Sequence, residues 1–281
     1  MNRSVWLWII ALLVTLVSAR WQRVSGPTHE FSGTVTLGGT PIRYTLERTH
    51  AYGSVHGQRV ASDHRVVIKD LPADVSGVTE WRPYRSSQPW IAVTMRREGS
   101  SLVAELPQQP VAGKLWYRVR LARGAEMLLI PPDRPVAIRF RDDVPPWILL
   151  PHILFMFLAM FLSTRAGLEV FNPKPALGAL TWWTLATLFV GGMVLGPFVV
   201  HYAFGPWWTG FPLGNDLTDN KTLIVLVGWI AAAIAVGRSK IAKAWVVFAA
   251  LLMLLVFAIP HSWSGGEPPY GPGDTVSAPA P

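Results

Sequence analysis

The chain contains no cysteine. That excludes disulfides, c-type haem attachment, cysteine-ligated iron–sulfur clusters, blue copper and thiol catalysis. Any domain it places outside the cytoplasm must be held by its hydrophobic core alone. Charge is scarce as well, at 15% of 281 residues. No HExxH, EF-hand loop, GxSxG or phosphate loop is present, so the motif-bearing hydrolases and nucleotide-binding enzymes have no signature here. The formal net charge of +8 comes without a lysine/arginine run or an RNA-binding aromatic motif. Sixteen basic and twelve acidic residues are interspersed over residues 25–144. This is not a nucleic-acid surface.

What is abundant is apolar: 51% of residues are hydrophobic and fourteen are tryptophan. The distribution is uneven. Residues 25–144 carry twenty-eight of the forty-two formal charges, and residues 145–281 hold nearly all the long apolar runs. The expected fold is a membrane protein of α+β class, an extracytoplasmic antiparallel β-sandwich followed by a helical transmembrane bundle. The expected parts are a signal anchor or signal peptide (1–24), the β-sandwich (25–144), a four-span bundle (145–261) and a disordered Pro/Gly-rich tail (262–281). Counting an N-terminal anchor, the spans number five.

Residues 1–19 place one arginine before an apolar run that ends in Val17-Ser18-Ala19. A cleaved signal peptide fits the small-residue end, and an uncleaved anchor fits with Trp21 at the interface. Both send the next domain outward. Within 25–144, period-two alternation is clearest at Leu115, Tyr117, Val119 and Leu121, and turn residues recur about every ten positions. About nine strands follow from this spacing, the first two joined as a hairpin across Gly38-Gly39-Thr40-Pro41. The following spans are read at 146–163, ended by Arg165, and at 176–202, with Pro197 kinking its outer end. Two more lie at 223–236, capped by Asp219, and 244–259. Gly192 and Gly196 form a GxxxG that permits close helix contact.

Arg3, Arg165, Lys174, Arg238, Lys240 and Lys243 mark one side of these spans, and the opposite short loop has one lysine against two aspartates. The positive-inside rule makes the basic side cytoplasmic. The sandwich, the loop of residues 205–222 and the C-terminus then lie outside. In that loop, GPWWTGFPLGNDLTDNKT, Trp207, Trp208 and Phe211 suit the membrane–water interface, while Asp216, Asp219 and Lys221 face water.

Chemistry is concentrated in three histidines at the outer ends of the spans: His152, His201 and His261. Imidazoles from different helices at one depth are ligands for a transition metal or b-type haem. Met156 and Met160 are placed to add soft ligands, and Asp216 and Asp219 to support them. The plainer reading is interfacial histidines whose tips reach water, with methionines that pack and no cofactor. A deep His152 needs a partner in either case: His201, a carboxylate of Asp216 or Asp219, or a carbonyl freed by Pro151 or Pro197. No ionisable group lies near a span midpoint, which argues against a transporter. His50, His56 and His64 match no metal-ligand spacing and read as surface histidines.

Residues 107–117, PQQPVAGKLWY, resemble the turn-then-aromatic-strand pattern of fibronectin type III and immunoglobulin-like modules. PPWILLPHILFMFLAMFLSTRAGLE and AFGPWWTGFPLGNDLTDNKT resemble stretches of uncharacterised bacterial multi-pass envelope proteins. The first resemblance implies a module that binds or spaces. The second implies a bacterial inner membrane and supplies no activity. The expected role is non-enzymatic binding, scaffolding or assembly in the envelope, with the lipid bilayer and another envelope protein as partners. The alternative is a redox or metal-binding subunit using His152 and His201.

Overall fold

The computed structural model describes residues 3–55 and 58–259. His261 and the tail after it lie outside the described residues, as does His56. The described chain forms two compact units, one from residues 3–27 and 144–259 and the other from residues 28–143. The class is α+β, with a sheet-rich N-terminal part and several long apolar helices.

The sheet-rich unit begins with β1 (Phe31–Leu37) and β2 (Thr40–Leu46), paired antiparallel with Leu37 opposite Thr40. Gly38 and Gly39 both take positive φ, which a two-residue turn matching strand twist requires. Then follow β3 (Thr49–Val55), β4 (Gln58–Val60), β5 (His64–Ile68) and β6 (Val75–Pro83). The unit continues with β7 (Ile91–Thr94), β8 (Arg96–Glu98), β9 (Ser101–Leu106), β10 (Lys114–Arg123), β11 (Glu126–Ile130) and β12 (Val136–Asp142). The ladders are β1-β2, β5-β9-β8 and β4-β3-β12-β10-β6-β7, with β11 also on β10.

Among the described residues the strands number twelve rather than nine, because β3, β4 and β8 have short or broken alternation. The pairing is not wholly antiparallel, since β12 and β3 run parallel. One core draws on all three ladders: Ile42 and Leu46 from β2, Val66 and Ile68 from β5, and Trp81, Leu115, Tyr117, Val119 and Phe140 from the large sheet. The other face of β6 and β10 is covered by stacked charge. Arg82 lies 4.6 Å from the Trp90 ring centroid and 5.1 Å from that of Trp116, and Arg118 lies 4.3 Å from that of Trp90. Glu80 takes hydrogen bonds from both Arg118 and Arg120, so its buried carboxylate is neutralised.

The helical unit contains α1 (Arg3–Ser25), α2 (Pro146–Leu168), α3 (Leu177–Leu188), α4 (Gly196–Phe204), α5 (Leu217–Arg238) and α6 (Ala242–Ala258). α3 runs into α4 through seven residues of wider π-helical turn, Phe189–Leu195. Four helical stretches are long and apolar enough to cross a membrane: Arg3–Ser25, Pro146–Phe171, Leu177–Phe204 and Leu217–Arg238. Ala242–Ala258 is apolar but shorter, at 17 residues. The ends sort consistently. Trp21 Nε1 donates to Ala258 O at 2.9 Å, bringing the last turns of α1 and α6 together, and Lys221 in the first turns of α5 reaches Ile259 O.

The π-turn has a local cause. Pro197 has no N–H to give, and its ring crowds the preceding turn. The helix widens just before it, so Gly196 N–H bonds Gly191 O, five residues back. The glycines there make room for neighbours. A Cβ on Gly191 would sit 3.0 Å from Met156 Sδ, and a Cβ on Gly192 would collide with Thr222 of α5. The GxxxG therefore serves contact within the chain.

Arg165 does not end its span. α2 continues to Leu168, because the Arg165 guanidinium is tied to Glu169 one turn on, with the side chains only 3% and 4% exposed. Glu169 also accepts from Asn172 Nδ2 at 2.7 Å and Ala176 N at 2.9 Å. Arg165 reaches Ser4 and lies 5.0 Å from the Trp8 ring centroid, joining α1 to α2. Removing one partner of such a pair strands the other. Glu169→Ala is expected to destabilise the helical unit by about 3 kcal/mol, read as a lowered melting midpoint in detergent. An unchanged midpoint would show that water reaches the pair.

Candidate functional site

The loop between α4 and α5 is a folded structure. Gly205, at φ 96°, ends α4 and returns its N–H to His201 O at 2.8 Å. The His201 ring donates from Nδ1 to Gly205 O and stacks flat on Trp207, with centroids 3.9 Å apart. Asp216, not Asp219, caps α5, its Oδ1 accepting from Thr218 N at 2.7 Å and Asp219 N at 3.3 Å. The helix begins at Leu217, a turn and a half before the apolar run at Leu223, so the cap falls earlier than hydropathy alone indicates. Asp219 instead turns back into the loop, where Oδ2 takes Thr209 N at 2.7 Å and Thr209 Oγ1 at 2.8 Å. Asn220 Oδ1 takes Phe211 N at 2.6 Å.

Gly210 is required by this clamp, since a Cβ there would sit 2.7 Å from Asp219 Cβ. Asp219 and Lys221 are 6% and 5% exposed, so neither faces water in the way their charge suggested. Lys221 Nζ donates to Ile259 O at 2.7 Å and so serves the last turn of α6. Trp207, Phe211 and Leu213 remain exposed, the last two at 67% and 78%, while Trp208 is half-buried and donates to Phe211 O.

His152 and His201 are engaged separately. His152 Nδ1 donates to Gly191 O at 2.9 Å, inside the π-turn, and its Cε1 lies near Gly196. Its partner is a backbone carbonyl that also accepts from Gly196 N. Met156 Sδ fills the space above Gly191, and Met160 belongs to the buried core. Among the described residues, no group of three or more His, Asp or Glu side chains is arranged to hold a metal ion.

In the sheet-rich unit two histidines read as surface groups prove to be partners. His64 opens β5 and points inward with Val66 and Ile68, leaving it 3% exposed. Its Nδ1 faces His50 Nδ1 at 3.3 Å, so one ring donates the N–H that the other accepts. Burial and the neighbouring His50 push the His64 pKa down to about 4, and burial lowers that of His50. The period-two pattern His64, Val66, Ile68 was a signal for an inward His64. His50 had none, because β3 itself was not evident.

Beside this pair lies a groove of about 710 Å³, lined by Glu30 and by Pro41, Arg43, Tyr44, Thr45, Leu46 and Glu47 around β2. His64, Arg65, Val66, Val67, Lys69 and Asp70 line it from the β5 side, and Tyr117 reaches it from β10. Tyr117 OH donates to Glu47 O at 2.7 Å, and burial pushes its phenol pKa well above the usual range, so it remains a donor. The charged wall is balanced: Arg43, Arg65 and Lys69 against Glu30, Glu47 and Asp70.

No family model, curated protein or solved structure matches the chain.

Two outcomes follow from these contacts. Asp219→Ala is expected to release the Thr209 end of the loop, costing about 2 kcal/mol for two hydrogen bonds to a carboxylate. Faster amide exchange at Thr209 and Phe211 than in the native chain would register it, and unchanged exchange would refute the clamp. For His64 the folded pKa lies below the unfolded value of 6.5, so the unfolded chain binds more protons between the two. Stability is whole above about pH 6.5 and is lost as pH falls toward 4, by about 3 kcal/mol. Exchange protection of β10 should track that window, and His64→Gln should remove this part of the pH dependence.

Proposed function

We infer that the chain is a multi-pass bacterial inner-membrane protein of non-enzymatic role, binding or assembling a partner through its sheet-rich unit. The observation that carries this reading is the groove between β2 and β5, a solvent-reachable concavity with polar walls and an inward floor. The three ladders share one core, which supports a two-layer sandwich of immunoglobulin-like or fibronectin-like kind spanning residues 25–144. Five spans follow if α6 crosses with α1 as a signal anchor.

Positive-inside bias supports an extracytoplasmic sandwich. Lys174, Arg238, Lys240 and Lys243 gather on the short connections at one end of the bundle. Arg20 and Arg23 sit at the other end, before a long domain, where charge weighs less. Trp207, Phe211 and Leu213 suit the outer interface, with the bilayer as their partner. A metal- or haem-binding reading based on His152 and His201 has less support, because each ring already serves a different backbone carbonyl.

The binding role is tested by placing a photoreactive residue at Thr45, on the groove wall, or at Ser100, in the β8–β9 turn. A discrete protein adduct from Thr45 and none from Ser100 is expected in native membranes; no adduct from either, or equal adducts from both, would overturn it. Orientation is tested by single cysteines in this cysteine-free chain. Ser100→Cys should react with an impermeant maleimide in intact spheroplasts and Lys240→Cys should not. The reverse pattern would invert the topology.

A further inference from the structure

We propose that His50 and His64 form a chelate for a tetrahedral divalent metal ion, zinc foremost, beside the groove. The proposal does not depend on the groove having a protein partner. His50 stands on β3, in the large sheet, and His64 on β5, in the three-stranded ladder. Their Nδ1 atoms lie 3.3 Å apart. Two Zn–N bonds of about 2.0–2.1 Å at the tetrahedral angle put the two nitrogens about 3.3–3.4 Å apart. Neighbouring positions of a square-planar copper ion need about 2.8–2.9 Å.

Both rings are held in place by aromatic neighbours. His50 meets Tyr52 and Phe140 edge-on, with centroids 5.3 Å apart in each case, and His64 meets Tyr117 at 6.3 Å. Packing of this kind orients the rings before an ion arrives, which lowers the cost of assembling the chelate. The far nitrogen of His50 is also provided for, since Nε2 lies 3.1 Å from Ser62 Oγ. An ion takes the lone pairs of both Nδ1 atoms, so the proton on the donor ring must move to that ring's Nε2. On His50 this loses no hydrogen bond, because the Ser62 hydroxyl donates to a bare Nε2 and accepts from a protonated one. A partner on the far nitrogen is the usual condition of a metal-bound histidine.

Two imidazoles leave two positions of a tetrahedral ion for water. His64 lines the groove together with Glu47, which gives water a way to the ion. Glu47 Oε2 lies 4.0 Å from His64 Nδ1, and the side chain is 59% exposed. That is farther than two ligands of one tetrahedral ion stand apart, so Glu47 is a neighbouring charge and not a third ligand. Asp63 is the second carboxylate that acts on His50, and its Oδ1 is fixed by Gln108 N at 2.9 Å. Two carboxylates beside two imidazoles suit a dication.

An ion held here ties β3 to β5, and so joins two ladders that share no strand pairing among the described residues. It stabilises the sheet-rich unit by mass action, since the unfolded chain does not bring the two rings together. His152 and His201 offer no counterpart, because each Nδ1 already serves a backbone carbonyl.

The test uses the full chain in detergent, free of any histidine tag, titrated with zinc chloride and followed by calorimetry and amide hydrogen exchange. One zinc ion per chain is expected to bind at this pair. With free zinc at about ten times its Kd, exchange through openings that part the two rings should slow about tenfold in both 49–55 and 64–68. His50→Gln should weaken zinc binding about tenfold or more, because a single imidazole remains. The exchange result is read on the native chain, so it stands whether or not the variant folds. Absence of zinc uptake, uptake that leaves exchange in either segment unchanged, or native affinity in folded His50→Gln overturns the site. Zinc held by the other histidines falls under the second of these outcomes.

Discussion

A backbone carbonyl or charge that cannot be satisfied within its own element, and that apolar neighbours close off from water, must find a partner in the protein. That requirement accounts for most of the polar contacts in the helical unit. The π-turn before Pro197 leaves Gly191 O accessible, and His152 from α2 occupies it. The frayed end of α6 presents Phe257, Ala258 and Ile259 carbonyls, and Gln22, Trp21 and Lys221 reach them. The turn after α2 is closed on Glu169, whose charge is met by Arg165. Trp21, Gln22, His152, Arg165 and Lys221 each join two elements, so the contacts that satisfy these groups also hold the bundle together, while threonines such as Thr15, Thr164 and Thr184 bond back within their own helix.

The loop before α5 obeys the same rule. Its amides at Thr209 and Phe211 are taken by Asp219 and Asn220, and the glycine between them lets the loop press onto the helix. This leaves Phe211 and Leu213 as the outward-facing apolar tip. The acidic residues are therefore structural anchors for an aromatic surface, and the aromatic surface is what the loop presents.

In the sheet-rich unit the corresponding constraint is unpaired strand edge. β3 joins β12, Arg59 reaches Asp142 across from β4, and the outer face of β6 and β10 is covered by Arg82, Arg118 and their tryptophans. Residues of β2 and β5, with Tyr117 of β10, line the one groove described above. Buried His64, paired with half-buried His50 beside the groove, ties the same unit to pH through the cost of charging His64.

Composition and periodicity alone determined that this chain is part strand-rich and part apolar helix. They also located the Gly38-Gly39 hairpin, the alternation of β10 and the long apolar stretches, because those depend on spacing within a few residues. They identified His152 as a residue needing a partner, because an imidazole at that depth is costly unpaired. Tertiary structure decided the partners. Gly191 lies thirty-nine positions from His152, and its carbonyl became the partner only when α2 packed against the π-turn before Pro197. The exchange of roles between Asp216 and Asp219 depended on where the loop folded back, and the burial of Arg165 depended on Glu169, Trp8 and Ser4 meeting around it. The groove was the least legible feature, because its lining comes from β2, β5 and β10, which lie far apart in the chain and meet only when the strands have taken their places.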